Sequence, residues 1–138
     1  MEQRDYLLRE IEKIGQVLRA ILNRITGKTG EIAISIENQY NEVKNELLDR
    51  ANFDLTEFSN MSDENALNYT KNLSGLNLQN IEQLVQIIEK IAITEPLKTK
   101  ESLLKKALLL LQYCKLQDKT FSIERELQIT RLNSALGL

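Results

Sequence analysis

Histidine and tryptophan are absent from this 138-residue chain, and cysteine occurs once, at Cys114. Without histidine there is no imidazole for acid–base work near neutral pH and no His-based metal site, and one cysteine cannot form an internal disulfide. The single proline and five glycines fall below the roughly seven and ten that average usage gives in this length. A β-sandwich needs turn residues roughly every 8 to 12 positions, so the shortage excludes that class. The glycines, at 15, 27, 30, 75 and 137, never fall into the spacing of a phosphate-binding loop. The longest apolar run, Ala107 to Leu111, is far short of the roughly 20 residues that span a bilayer, which excludes membrane insertion.

What remains is 42% hydrophobic and 28% charged, with 18 basic against 20 acidic residues. That balance describes a packed globular chain, and its length suits one domain, taken as residues 1–138. Met1 to Asp5 is polar and runs straight into an amphipathic segment bearing Glu10, Glu12 and Lys13. No apolar leader core precedes it, so a cytoplasmic location is expected.

Hydrophobic periodicity is helical throughout. From Arg4 to Ile25, the residues Leu7, Ile11, Ile14, Leu18, Ile21 and Ile25 recur at alternating intervals of four and three, which draws one apolar seam along a helix. Leu8 and Leu22 widen that face, with Gly15 between them, and Gly27 offers a left-handed C-terminal cap. A second helix is expected over Glu31 to Arg50. Its start is ambiguous, because Ile32, Ile34 and Ile36 also alternate as a strand would. Asn52 to Ser62 reads as a helical turn tucking Phe53 and Phe58 beneath the core. Asp63 to Lys71 follows with Ser62 as N-cap.

Asn77 caps a clear amphipathic helix whose stripe is Ile81, Leu84, Val85, Ile88, Ile91 and Ala92, stopped by Pro96. From Thr99 to Leu116 the chain is apolar around most of its circumference, as a central helix would be. Ser122 caps a last helix with contacts expected from Ile123, Leu127, Ile129, Leu132 and Leu136. The fold expected is all-α, a bundle of antiparallel hairpins with about five to six helices.

Two resemblances follow from these residues. The last two helices have the size of a tetratricopeptide-like hairpin. The opening Asp5-Tyr6-Leu7-Leu8-Arg9-Glu10-Ile11-Glu12, the Ile14 to Ile25 seam and the later Gly75-Leu76-Asn77-Leu78-Gln79-Asn80 resemble a bacterial family of small all-helical proteins, a domain of unknown function. That resemblance implies an all-helical fold and a bacterial setting, and no site residue.

Chemistry-bearing patterns are scarce. Cys114 lies in the most apolar helix, where a free thiol packs as a small hydrophobe. Carboxylates adjacent in sequence diverge on a helix, and the di-metal carboxylate bundles need a Glu-x-x-His repeat that is absent. No catalytic, cofactor or metal residue is therefore assigned. Residues 1–30 carry net +2, residues 31–89 net −8 and residues 90–138 net +4, a polarity that favours association between an acidic centre and a basic end. The lysines 98, 100, 105, 106, 115 and 119 form no arginine-rich recognition helix and have only Tyr113 as a stacking group, in a chain of acidic overall balance, so no nucleic-acid partner is expected.

The reading is a non-enzymatic helical module for protein interaction or self-association, a homodimer being the simplest closed form. Residues 4–25 would be its association arm, with Leu7, Ile11, Ile14, Leu18, Ile21 and Ile25 as the interaction seam. On that reading, Glu at positions 14 and 18 would convert a dimer to a monomer without unfolding the C-terminal hairpin. The alternative is a small-molecule-binding protein or enzyme with a pocket lined by Tyr40, Tyr69, Tyr113 and Cys114.

Overall fold

The computed structural model describes residues 2–26 and 33–138. Among them are seven α-helices and no strand: α1 (Glu2–Thr26), α2 (Ala33–Ala51), α3 (Leu55–Asn60), α4 (Asp63–Lys71), α5 (Leu78–Ala92), α6 (Leu97–Gln117) and α7 (Ile123–Ala135). The all-α bundle expected from periodicity is present. Residues 33–36 are helical, while Ile32, the expected start at Glu31 and the Gly27 cap lie outside the described residues.

The seventh helix is α3, a six-residue helix where the sequence reads as a helical turn. Asp54 accepts a hydrogen bond from the Glu57 N–H at 3.0 Å and so closes a true N-cap. Phe53 and Phe58 are both fully buried, with ring centroids 5.0 Å apart, and Tyr69 of α4 stacks obliquely on Phe53 at 5.6 Å. The Tyr69 hydroxyl accepts from the Asp54 N–H at 2.8 Å and donates to the Asn52 carbonyl. This arrangement satisfies the backbone where Asn52, in the left-handed region at φ 56°, turns the chain out of α2.

α6 occupies the centre, packing against α3, α4, α5 and α7. It begins at Leu97, two residues ahead of the expected Thr99 cap, because Pro96 takes the N-cap position and its carbonyl accepts from the Lys100 N–H at 2.8 Å. α5 lies antiparallel to it, and every member of the stripe read from sequence, from Ile81 to Ala92, is buried.

α1 runs parallel to α5. Asn80, in the first turn of α5, donates to the Ile11 carbonyl at 2.9 Å and to the Gly75 carbonyl at 2.7 Å, tying both segments together. Gly75 makes this junction possible: its φ is +84°, and a Cβ there would sit 2.7 Å from Ile14 Cγ1 and 3.0 Å from the Glu10 carbonyl. Because Ile11 already lies level with the start of α5, the first turns of α1 project beyond it, and residues 4–9 are all exposed.

Candidate functional site

The six seam residues divide. Ile14, Leu18, Ile21 and Ile25 are buried in the chain's own core, Ile11 is half-buried, and Leu7 is exposed beside Tyr6 and Leu8. Each inner residue contributes about 1.5–3 kcal/mol by leaving water, so this part of the helix is occupied by intramolecular packing. Glu at positions 14 and 18 would bury two carboxylates inside the chain's own core, so those substitutions strike at folding before they strike at any contact with another chain. At the start of α1 only the tip around Tyr6, Leu7 and Leu8 leaves large apolar side chains exposed. Three such side chains are far fewer than the roughly 20–30 residues a side of a stable interface.

A larger feature sits at the opposite end of α1. The outer flank of α5, the first half of α6 and one side of α7 enclose a groove of about 780 Å³ that Leu22 of α1 also lines. Leu104 and Leu132 form its apolar floor, and Ile93 and Leu127 stand at its lips, 68% and 61% exposed. Around them are Glu89, Lys90, Lys100, Glu124 and Arg131. Glu89 is engaged by Gln128 at 2.7 Å and by Arg131 at 3.3 Å, whereas Lys90 and Lys100 form no ion pair among the described residues.

The helix that builds one wall departs from its expected orientation. Leu132 is buried and Ile129 and Leu136 are partly buried, as read from sequence, but Ile123 and Leu127 face solvent. The inward positions of the first half are instead Arg125 and Gln128, only 5% and 6% exposed. Positions 125, 128 and 132 share one helix face, so the polar pair continues the line of Leu132. Arg125 bonds Glu82 of α5 and, at 2.6 Å, Asp118 at the end of α6. The Thr120 backbone N–H and the Arg125 guanidinium hold the Asp118 carboxyl below its ordinary range. Single-sequence periodicity misses this because a buried arginine is legible only once its two carboxylates are placed.

The alternative pocket residues do not converge on one hollow. Tyr69 lines a shallow depression of about 450 Å³ with Met61, three asparagines and Leu73. Tyr113 lies beneath the Lys71 ammonium, 5.9 Å from ring centroid to Nζ. Tyr40 is half-buried on α2, and burial raises its hydroxyl pKa. Cys114 is fully buried with its thiol against the Leu78 carbonyl, and burial followed by the Glu82 carboxylate pushes it up to about 12.

The lysines are likewise dispersed. Lys106 is buried and paired with Asp63, Lys115 pairs with Glu126, and Lys100 faces the groove. One contact joins a hydroxyl to an amine: Lys106 Nζ donates to Ser102 Oγ at 2.8 Å, and that hydroxyl donates onward to the Ser59 carbonyl at 2.7 Å. A base would accept from the serine, so this chain of bonds ties α6 to the end of α3. Among the described residues, no cluster of three or more metal-ligating side chains occurs, and no helix is long and apolar enough to cross a membrane.

The fold and the groove define an all-α bundle with an open face at its C-terminal end. Compared with known proteins, the chain matches no family model, no curated protein and no solved structure.

Proposed function

We propose that this protein is a non-enzymatic helical interaction module that self-associates through the groove, with a second copy of the chain as the simplest partner. The observation that carries this reading is the pair Ile93 and Leu127, two large apolar side chains that line one groove and are both mostly exposed. Such residues mark contact surfaces when they line a concave site of this size. Charge favours a second copy. Among the described residues Lys90 and Lys100 make no ion pair at the groove, and the acidic middle of the chain exposes Glu42, Asp49, Glu57 and Glu64, with the exposed Leu48 beside Asp49 on α2. The helix tip at Tyr6, Leu7 and Leu8 is too small to hold a dimer alone and adds contact area to one held elsewhere.

Sedimentation velocity over a concentration series tests this. The wild-type mass should rise from 15.9 kDa toward twice that value, and the Ile93→Glu/Leu127→Glu variant should remain monomeric with an unchanged helical spectrum. A wild type that stays monomeric throughout removes self-association. The groove volume also lies within the ~300–1,000 Å³ of small-molecule sites, so a ligand between the helices is the second reading. A concentration-dependent rise in melting temperature with an amphipathic anion, abolished by Lys90→Glu/Lys100→Glu, would favour it over dimerisation.

A further inference from the structure

α7 meets the rest of the molecule through two unlike halves. Its first half turns Arg125 and Gln128 inward onto Glu82, Asp118 and Glu89, and Arg131 reaches the same Glu89 from the surface. Its second half supplies Leu132 as its one fully buried apolar side chain, with Ile129 and Leu136 partly covered. Apolar burial holds a docked helix at any salt concentration, whereas charge pairs weaken as ions screen them and stabilise the separated groups. Of the three side chains that α7 buries, two are polar and reach across to carboxylates of α5 and the end of α6. α5, in contrast, is held by eight buried residues, seven of them apolar.

The helix also carries its own ends. Ser122 Oγ accepts from the Arg125 N–H at 3.2 Å. At the other end Gly137, with φ +75°, lets the Leu138 N–H reach the Asn133 carbonyl at 2.8 Å and its own N–H reach that of Ser134 at 3.1 Å. None of these bonds needs α5 or α6. The connection to α6 runs through residues 118–122, of which 119–121 are exposed.

We infer that α7 is a detachable latch: it swings away as a capped helix about residues 118–122, in a step controlled by ionic strength, while α1 to α6 stay folded. Opening carries off the groove wall bearing Leu127 and Leu132, so the groove exists only in the latched form. The latch is independent of what the groove binds and stands even if the protein is monomeric.

Native-state hydrogen exchange on the full chain tests it. Once detached, a 13-residue helix is marginal in water and its amides open, so between low and high sodium chloride α7 amides should exchange faster by at least about threefold while α5 amides hold or slow. In the Arg125→Met/Arg131→Met variant, α7 should exchange fast already at low salt, and the salt step should shrink to what the remaining Lys115–Glu126 pair supports. The latch is overturned if α7 amides exchange no faster than those of α5, which would mean they open only in global unfolding. It is equally overturned if wild-type α7 opens early but at a rate indifferent to salt.

Discussion

Replacing Leu18 by Ala and Leu7 by Ala, one at a time, should separate two positions that share a seam in sequence and differ in environment. Leu18 is fully buried, whereas Leu7 is 48% exposed on the projecting turns of α1. Removing buried Leu methyls loses transfer energy and leaves a cavity, together about 3 kcal/mol, with a range of about 2–5. A surface truncation costs about 0.5 kcal/mol or less. With a urea dependence of about 2 kcal/mol per molar, Leu18→Ala should lower the unfolding midpoint by about 1.5 M and Leu7→Ala by at most about 0.3 M. Circular dichroism at 222 nm in a urea titration reads both. Against a total stability of about 5–15 kcal/mol, the Leu18 loss is large enough to resolve and small enough to leave a folded protein. Equal midpoints for the two variants would refute the division of the seam into an internal part and an exposed tip.

Other consequences follow from single contacts. Gly75→Ala should cost about 2 kcal/mol or more by the same titration, since the new Cβ meets Ile14 and the Glu10 carbonyl at a positive φ; a neutral result would mean the connector moves freely. Asn80→Leu strands the Gly75 carbonyl and unties α1 from α5, with an expected loss of about 1–3 kcal/mol. For Cys114 the native thiol titrates near 12 against 9.0 when unfolded. Its contribution to stability is thus intact below about pH 9 and declines as pH rises from there toward 12, because only the unfolded chain releases the proton. Stability of wild type and Cys114→Ala compared between pH 8 and 11 should show the wild type falling more steeply, and parallel curves would contradict this. A thiol reagent at pH 8 should label native Cys114 only as fast as the protein unfolds.

Much of the architecture is readable from local pattern. The caps at Ser62, Asn77 and Ser122 each accept the expected N–H three residues on, because capping depends on neighbours in sequence. The α5 stripe is buried as read, since one clean face leaves one way to pack. The α1 seam is read only in part. Its period identifies the buried face, but where that face runs out depends on the start of α5, more than sixty residues away in the chain. The groove is less legible still, being assembled from the flanks of α5, α6 and α7. Ile93 falls just off the α5 stripe, and Leu127 sits among apolar residues that would all point inward if Arg125 and Gln128 did not take their places. Burial of charge runs against the usual pattern, and only the converging carboxylates of Glu82 and Asp118 make it affordable.

Whether the molecule meets its partner at the groove and the helix tip, and not along the inner seam, is read most directly by amide chemical shifts over a dilution series of the full chain. Shifts should move at Lys90 to Ile93, around Leu127 and Arg131, on the exposed side of α2 near Leu48 and at Tyr6 to Leu8, while Ile14, Leu18 and Ile21 stay fixed. Movement concentrated at those three core positions, or none anywhere across the series, would contradict this assignment.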